Sequence, residues 1–114
     1  MAINTSIGRD NNWVPIQGAY EHGPVSGNAT VTTAGTPVQL ASVATPALRL
    51  DITANPGNTD VIVVGGSGVV GPLSGRKGVP LEPSATYTLT TSDLSLIWID
   101  SAHNGDGVTY NYWY

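Results

Sequence analysis

Residues 47–66 read ALRLDITANPGNTDVIVVGG and carry the clearest β-strand signals in the chain. Apolar and polar residues alternate over residues 48–53, and this period of two is typical of a strand with one buried face. Residues 55–58 (NPGN) predict a turn, since proline presets φ and glycine supplies a positive φ. Residues 61–64 form a continuous β-branched run, which favours a strand covered on both faces. Together these segments predict a hairpin that the rest of the chain must cover.

Short β-prone segments recur on both sides of this hairpin, separated by Gly, Pro, Asn and Ser. They comprise residues 29–33, 37–43, 69–70, 79–81, 86–90, 94–99 and 108–114. No window shows the spacing of an amphipathic helix, and the connections are too short for parallel crossovers. The pattern predicts an all-β fold, a single antiparallel β-sandwich of seven or eight strands that is jelly-roll-like. Trp98 is predicted to be buried in a central strand, and residues 100–107 are predicted to form a hairpin loop.

Composition limits the classes of function. The chain has 114 residues, no cysteine, 11% charged residues and a formal net charge of −4. Without cysteine there is no thiolate metal site, and the acidic balance gives no electrostatic footprint for nucleic acid. No run approaches the length of a membrane span, and the first residues lack the pattern of a cleaved signal peptide. We therefore expect one domain that binds neither nucleic acid nor membrane.

Residues 1–27 differ from the rest because they show no sustained periodicity, although they contain spaced apolar residues. We assign residues 1–27 to an extended N-terminal arm and residues 28–114 to the β-sandwich domain. Either the arm folds back over its own domain, or it lies on a neighbouring subunit and is held there by aromatic anchors. In the second case Trp13, Ile16 and Tyr20 are the predicted anchors.

Few residues point to chemistry. Asp100, His103, Asn104 and Asp106 could form a base with an orienting carboxylate or a metal site, but Asp, Asn and Gly are also the usual turn formers. We favour the turn, and we predict no enzyme activity, no catalytic residue, no metal and no cofactor. Arg76-Lys77 is the one basic pair; it either docks on an acidic partner or keeps a hairpin tip soluble.

The aromatic end of the chain, residues 108–114 (VTYNYWY), allows two interpretations. Its rings could form a platform on which sugars stack, or they could pack in the core and at a subunit interface. Alternation places Trp113 on the face opposite the tyrosines, and this favours core or interface packing. Tyr112, Trp113 and Tyr114 are therefore predicted to lie at an oligomer interface.

Residues 36–114 resemble the small all-β virion proteins of tailed bacteriophages, the decoration or cement proteins that bind the outside of a capsid. The resemblance rests on the segments LRLDIT with PGN (48–58), VIVVGG (61–66), GVPLEP (78–83), DLS leading into LIWID (93–100) and GDGVTY (105–110). Similar hairpins occur in phage tail and fibre-associated proteins.

The resemblance implies a non-enzymatic structural protein that binds the major capsid protein and stabilises the shell. Such proteins are typically homotrimers on threefold and quasi-threefold positions, and an N-terminal arm would strap neighbouring subunits together. It also implies a location on the outer capsid surface of a virion, after synthesis in the cytoplasm of a host bacterium. The alternative is a tail or fibre-associated module, or a carbohydrate-binding β-sandwich whose partner is a glycan.

Overall fold

A computed structural model describes residues 22–114, which form eight β-strands. The strands are β1 (Val25–Thr30), β2 (Val38–Gln39), β3 (Arg49–Ala54), β4 (Ile62–Gly65), β5 (Val79–Leu81), β6 (Thr86–Thr90), β7 (Trp98–Ser101) and β8 (Gly107–Trp113). A single 3-10 turn at Leu94–Leu96 precedes β7. The predicted arm anchors Trp13, Ile16 and Tyr20 lie outside the described residues.

The strands form two four-stranded antiparallel sheets that pack face to face. One has the order β1-β8-β3-β6 and is called here the open sheet; the other has the order β2-β7-β4-β5 and is called the covered sheet. Only β4 and β5 are consecutive strands that pair, because every other connection passes from one sheet to the other. This strand order is that of an eight-stranded jelly roll. The predicted all-β antiparallel sandwich is thus confirmed.

The main core lies between the sheets and is built by strict alternation. Along β3, Leu50, Ile52 and Ala54 are fully buried, whereas the residues between them are half-buried on the opposite face. Ile62, Val64 and Ile99 of the covered sheet pack against them. Fully burying an aliphatic side chain contributes about 1.5–3 kcal/mol to stability, so this buried layer supplies most of the free energy that holds the two sheets together.

The predicted hairpin between β3 and β4 is wrong. Residues 55–58 do turn, since the N–H of Asn58 donates to the carbonyl of Asn55 at 3.0 Å, but β3 and β4 belong to different sheets. The reason lies in their outward faces. β3 presents Asp51 and Thr53 outward, whereas Val61 and Val63 beside and within β4 need cover on that side. The two strands therefore do not share one outer surface.

Other predicted details also differ from the structure. The predicted hairpin loop at residues 100–107 is wrong, because residues 102–106 connect β7 to β8 across the two sheets. The segment 94–99 begins with the 3-10 turn, which Asp93 caps through a 2.9 Å bond from the N–H of Ser95. Trp98 is half-buried on the outer face of the covered sheet. The predicted arm extends to residue 27, yet strand β1 already begins at Val25 and pairs with β8.

A second, smaller core covers the outer face of the covered sheet. The connection between β4 and β5, residues 66–78, folds back over this face, and its Val69 packs with Val61, Val63 and Trp98. Gly71 lies so close to the backbone of Ser101 that a β-carbon there would collide with it. The predicted two-sided cover of residues 61–64 is therefore confirmed, with one side supplied by the main core and the other by this loop.

Candidate functional site

The four polar residues near the end of β7 act in the structure as turn and loop anchors. Asp100 is fully buried, and its two oxygens accept bonds from the N–H groups of Gly35 (3.0 Å), Gly71 (2.8 Å) and Ser101 (2.9 Å). Its carboxyl group thus fastens two loops to β7. All three hydrogen bonds to this carboxyl group come from backbone N–H groups, and such pairing is expected for a buried polar group.

Asp106 has the same kind of role in the connection between β7 and β8. It is 4% exposed, and its two oxygens accept the N–H groups of Thr59 and Asp60, each at 2.9 Å. His103 is exposed, and its Nδ1 lies 3.0 Å from the carbonyl oxygen of Asn104. The side chain of Asn104 accepts the N–H of Ala34 at 2.7 Å. The favoured interpretation of these residues as turn formers agrees with these bonds.

Residues 22–114 also bear on metal binding and on membrane insertion. Within this range, no group of three or more His, Asp or Glu side chains is arranged to hold a metal ion. The same residues contain no helix long and apolar enough to cross a lipid bilayer.

The basic pair lies in the loop over the covered sheet, and its two members differ. Arg76 is half-buried, and its Nε donates to the carbonyl of Gly71 at 2.9 Å, so it braces the loop. Lys77 is exposed, and its backbone exchanges two 3.0 Å bonds with Val70. Of the two predicted partner-binding cations, Lys77 alone presents a side chain that is largely solvent-exposed.

The aromatic end does not present a continuous platform. Tyr110 and Tyr112 pack inward against the main core. The pKa of Tyr110 is raised, mainly by burial and secondly by the nearby Tyr112. Trp113 points outward, where the guanidinium of Arg49 lies 5.0 Å from the centre of its ring. That ring face is therefore not available for stacking on a sugar. The sequence correctly predicted that Trp113 and the tyrosines point to opposite sides; their role in an oligomer interface remains a prediction.

The end of the sandwich where β3 begins and β8 ends exposes several large apolar side chains. We call it the apolar end, and it comprises Val43 (69% exposed), Leu48 (43%), Leu96 (57%) and Tyr114 (46%). The N–H of Leu48 donates to the carbonyl of Trp113 at 2.7 Å, which places it beside Tyr114. Large apolar groups collected in one region of a surface are typical of an interaction site.

Residue His22 joins the preceding part of the chain to this same end. Its backbone exchanges two 2.9 Å bonds with Tyr114, and its ring stacks on that of Tyr114 with a centroid distance of 5.0 Å. Residues 1–21 therefore connect to the domain at the apolar end.

Asp93 holds the two loops of the apolar end together. Its Oδ1 accepts the N–H of Thr45 from one loop and the N–H of Ser95 from the other, both at 2.9 Å. The N–H of Leu94 donates in return to the carbonyl of Thr45 at 3.0 Å. The bonds from Thr45 and then Ser95 hold the pKa of Asp93 below its ordinary value, because they favour the ionised form. This carboxylate therefore links the loop that carries Val43 to the loop that carries Leu96.

The outer face of the open sheet is a polar grid of short side chains. One row crosses all four strands and consists of Ser26, Asn111, Asp51 and Thr88. Ser26 donates to Asn111, and Thr88 donates to Asp51 at 2.7 Å. Arg49 binds Asp51 through its Nε and Nη2 at 3.2 and 3.1 Å. A shallow depression of about 280 Å³ lies over this grid and is bordered also by Thr53 and Thr109.

Sequence reasoning missed most of the apolar end. Alternation placed Leu48 with the buried residues, but it lies just before β3 and is partly exposed. Leu96 lay within a predicted strand; the Asp93-x-Ser95 spacing, typical of a capped turn, was the signal that could have separated it. Nothing in the sequence marks Val43.

Comparison with known proteins finds no matching family model, no matching curated protein and no matching solved structure.

Proposed function

We propose that this protein is a non-enzymatic structural protein of a phage particle, a decoration or cement protein that binds the major capsid protein on the outer shell and stabilises it. The observation that carries the proposal is the apolar end. There, four partly exposed apolar side chains lie beside the point where residues 1–21 join the domain. The point where the preceding segment joins the domain thus lies at the same end as the exposed apolar side chains.

The disposition of the charged groups supports a binding role over a chemical one. The two buried carboxyl groups, Asp100 and Asp106, are occupied by backbone N–H groups and hold loops in place. The low content of charged residues favours close packing on another protein, since little charge has to be desolvated.

Weak contacts at one apolar end suffice when they are repeated. In a homotrimer, three copies of the end engage one shell, and each bound copy raises the effective concentration of the others. The arm residues Trp13, Ile16 and Tyr20 are proposed to add contacts with neighbouring capsid subunits. The proposed location is the outer surface of the virion.

The test is co-sedimentation of the purified protein with shells assembled from the major capsid protein of the same phage. The double variant Val43→Asp with Leu96→Asp places two charges on the apolar end and is expected to weaken binding at least tenfold. Leu73→Asp is the matched control, because Leu73 is 79% exposed but lies in the loop over the covered sheet. Failure of the unaltered protein to bind shells would contradict the proposed function. Equal binding by all three proteins would contradict the role of the apolar end.

A second candidate function is carbohydrate binding, as part of a tail, a fibre or an adhesive surface. The depression on the open sheet favours it, because Ser26, Asp51, Thr53 and Asn111 supply the hydroxyl, carboxyl and amide groups that sugars bond. The coverage of Trp113 by Arg49 weighs against a stacking mode. Titration with a glycan panel, followed by intrinsic fluorescence and repeated with Asp51→Ala, separates this candidate from shell binding.

A further inference from the structure

Strand β6 forms an edge of the open sheet, and half of its backbone groups face away from the sheet. In an antiparallel ladder, alternate residues of an edge strand bond the neighbouring strand and the residues between them point outward. The bonds from Ala54 N–H to Ala85 (3.0 Å) and from Thr91 N–H to Leu48 (3.3 Å) fix the phase of the β3–β6 ladder. The backbone N–H and carbonyl groups of Thr86, Thr88 and Thr90 therefore point outward.

Strand β1 forms the other edge of the open sheet. As on β6, the residues whose side chains lie on the outer face are also those whose backbone groups point away from the sheet. The N–H of Val31 donates to the carbonyl of Asp106 at 2.8 Å, and the register with β8 extends this pattern along the strand. Ser26, Asn28 and Thr30 accordingly direct their backbone groups away from β8. These three side chains are exposed on the polar face, as are those of the three threonines of β6.

Within residues 22–114, the edge strands of the open sheet lack the blocking features that the edge strands of the covered sheet have. In the covered sheet, edge strand β2 has two residues, and edge strand β5 contains Pro80, which has no N–H to offer another strand. By contrast β1 (VSGNAT) and β6 (TYTLT) contain no charge and no proline. Natural sheets block free edges with such residues, so two unblocked edges on one sheet indicate strands that pair with another chain.

We propose that the open sheet is continued by a second copy of this chain, with β6 of one copy pairing antiparallel with β1 of the next. Within one sheet β1 and β6 run in opposite directions, since three antiparallel pairings separate them. Two copies set side by side in the same orientation thus bring β6 against β1 in an antiparallel arrangement. The register of full overlap pairs Thr86 with Thr30, Thr88 with Asn28 and Thr90 with Ser26 of the partner subunit.

Side-chain sizes favour this pairing over a pairing of two β6 strands. On the inner side of the proposed contact, the half-buried Tyr87 and Leu89 meet Ala29 and Gly27 of the partner subunit, so large residues oppose small ones. On the outer side, hydroxyl and amide groups face each other, and such cross-strand pairs are favourable. A β6–β6 pairing would leave β1 free in each copy. A head-to-tail contact uses both edges, and it closes into a ring when the rotation between neighbouring copies divides a full turn.

The contact fits the homotrimer of the proposed function, in which three open sheets form one closed ring of strands. The edge contact rests on the proposed function only for the number of copies in the ring, which is three. Self-association through the edges is measured without a capsid, and shell binding through the apolar end is measured separately. Either result can therefore fail while the other holds.

The absence of cysteine allows a background-free cross-linking test on the full chain. In the double variant Asn28→Cys with Thr88→Cys, the two thiols of one copy are separated by three strand spacings, about 14 Å, which is too far for a disulfide. Mild oxidation is expected to give covalent oligomers that end at one ring size. The single variant Thr88→Cys is expected to stay monomeric on a denaturing gel, because it forms covalent dimers only if two β6 strands meet.

Charge at the edge provides the second test. Thr88→Lys is expected to weaken self-association at least tenfold in sedimentation equilibrium, whereas Thr109→Lys, on the same face but in the inner strand β8, is expected to leave it unchanged. The proposal is overturned if the unaltered chain is monomeric at all concentrations and the double cysteine variant gives no covalent oligomer. It is also overturned if Thr88→Cys alone forms dimers as efficiently as the double variant.

Discussion

The two sheets of this sandwich share one core, but the side chains on their outer faces differ in polarity. The covered sheet turns valines outward at positions 61 and 63 and hides them under its own loop, residues 66–78. The open sheet turns serine, threonine, asparagine and aspartate outward and has no loop across it among the described residues. The chemistry of alternate residues in each strand thus decides which sheet needs cover. Among residues 22–114, no segment covers that outer face or the two edges of the open sheet.

The largest expected effect comes from removing a carboxyl group from each sheet. Asp100→Ala leaves the buried N–H groups of Gly71 and Ser101, and the part-buried one of Gly35, without their acceptor, which is expected to cost about 3 kcal/mol in the free energy of unfolding. Asp51→Ala, on the open sheet, is expected to cost about 1 kcal/mol or less. Urea denaturation measures both, and equal losses would contradict the distinction between the sheets.

A smaller effect is expected within the covering loop. Gly71→Ala pushes a methyl group into the backbone of Ser101 and is expected to destabilise the fold by about 1–3 kcal/mol. Gly68→Ala, in the same loop, meets no atom within 4 Å and should change stability by about 0.5 kcal/mol or less. Thermal unfolding of the two variants checks this. A Gly68 variant as unstable as the Gly71 variant would mean that loop flexibility, and not close packing, sets the cost.

On the open sheet, Arg49→Ala removes an ion pair with Asp51 and a cation–π contact with Trp113. Both lie at the surface, so we expect a loss of about 1 kcal/mol. Raising the salt concentration should reduce the difference between the variant and the unaltered protein, since salt screens exposed pairs. A loss that does not depend on salt would assign the effect to the packing of the arginine stem on the indole.

The smallest effect concerns the apolar end, which joins the two sheets. Because the pKa of Asp93 is lowered in the folded state, its ionised form stabilises the fold at neutral pH, and this contribution is lost as the pH falls below about 4. Asp93→Asn is therefore expected to lower the melting temperature slightly at pH 7, and by less as the pH falls below the ordinary pKa of an aspartate. A difference that persists unchanged at pH 3 would contradict this assignment.

The sequence predicted the elements of this fold better than their partners. Residues 61–64 are all apolar, which predicted a strand covered on both faces, and the structure confirms this. The turn at residues 55–58 has the composition of a hairpin, but a turn does not specify whether the next strand pairs with the last one. In a jelly roll that choice depends on strands distant in the chain, such as β8 between β1 and β3.

The candidate site was harder to predict for the same reason. The exposed apolar residues, Val43, Leu48 and Leu96, lie outside the strands, near their ends. Asp93 links the loops there by accepting hydrogen bonds from backbone N–H groups. Residue type alone does not contain that information. His103, Asn104 and Asp106, by contrast, lie in or beside the turn that was favoured for them, whereas Asp100 lies in strand β7 and anchors loops from there.

The most direct test of the account is amide hydrogen exchange of the full chain, free and bound to capsid shells. We expect shells to protect the loops of the apolar end, residues 40–48 and 91–97, and to leave exchange in the loop over the covered sheet unchanged. Protection confined to residues 66–78, or no protection anywhere, would contradict the claim that this protein binds a shell through its apolar end.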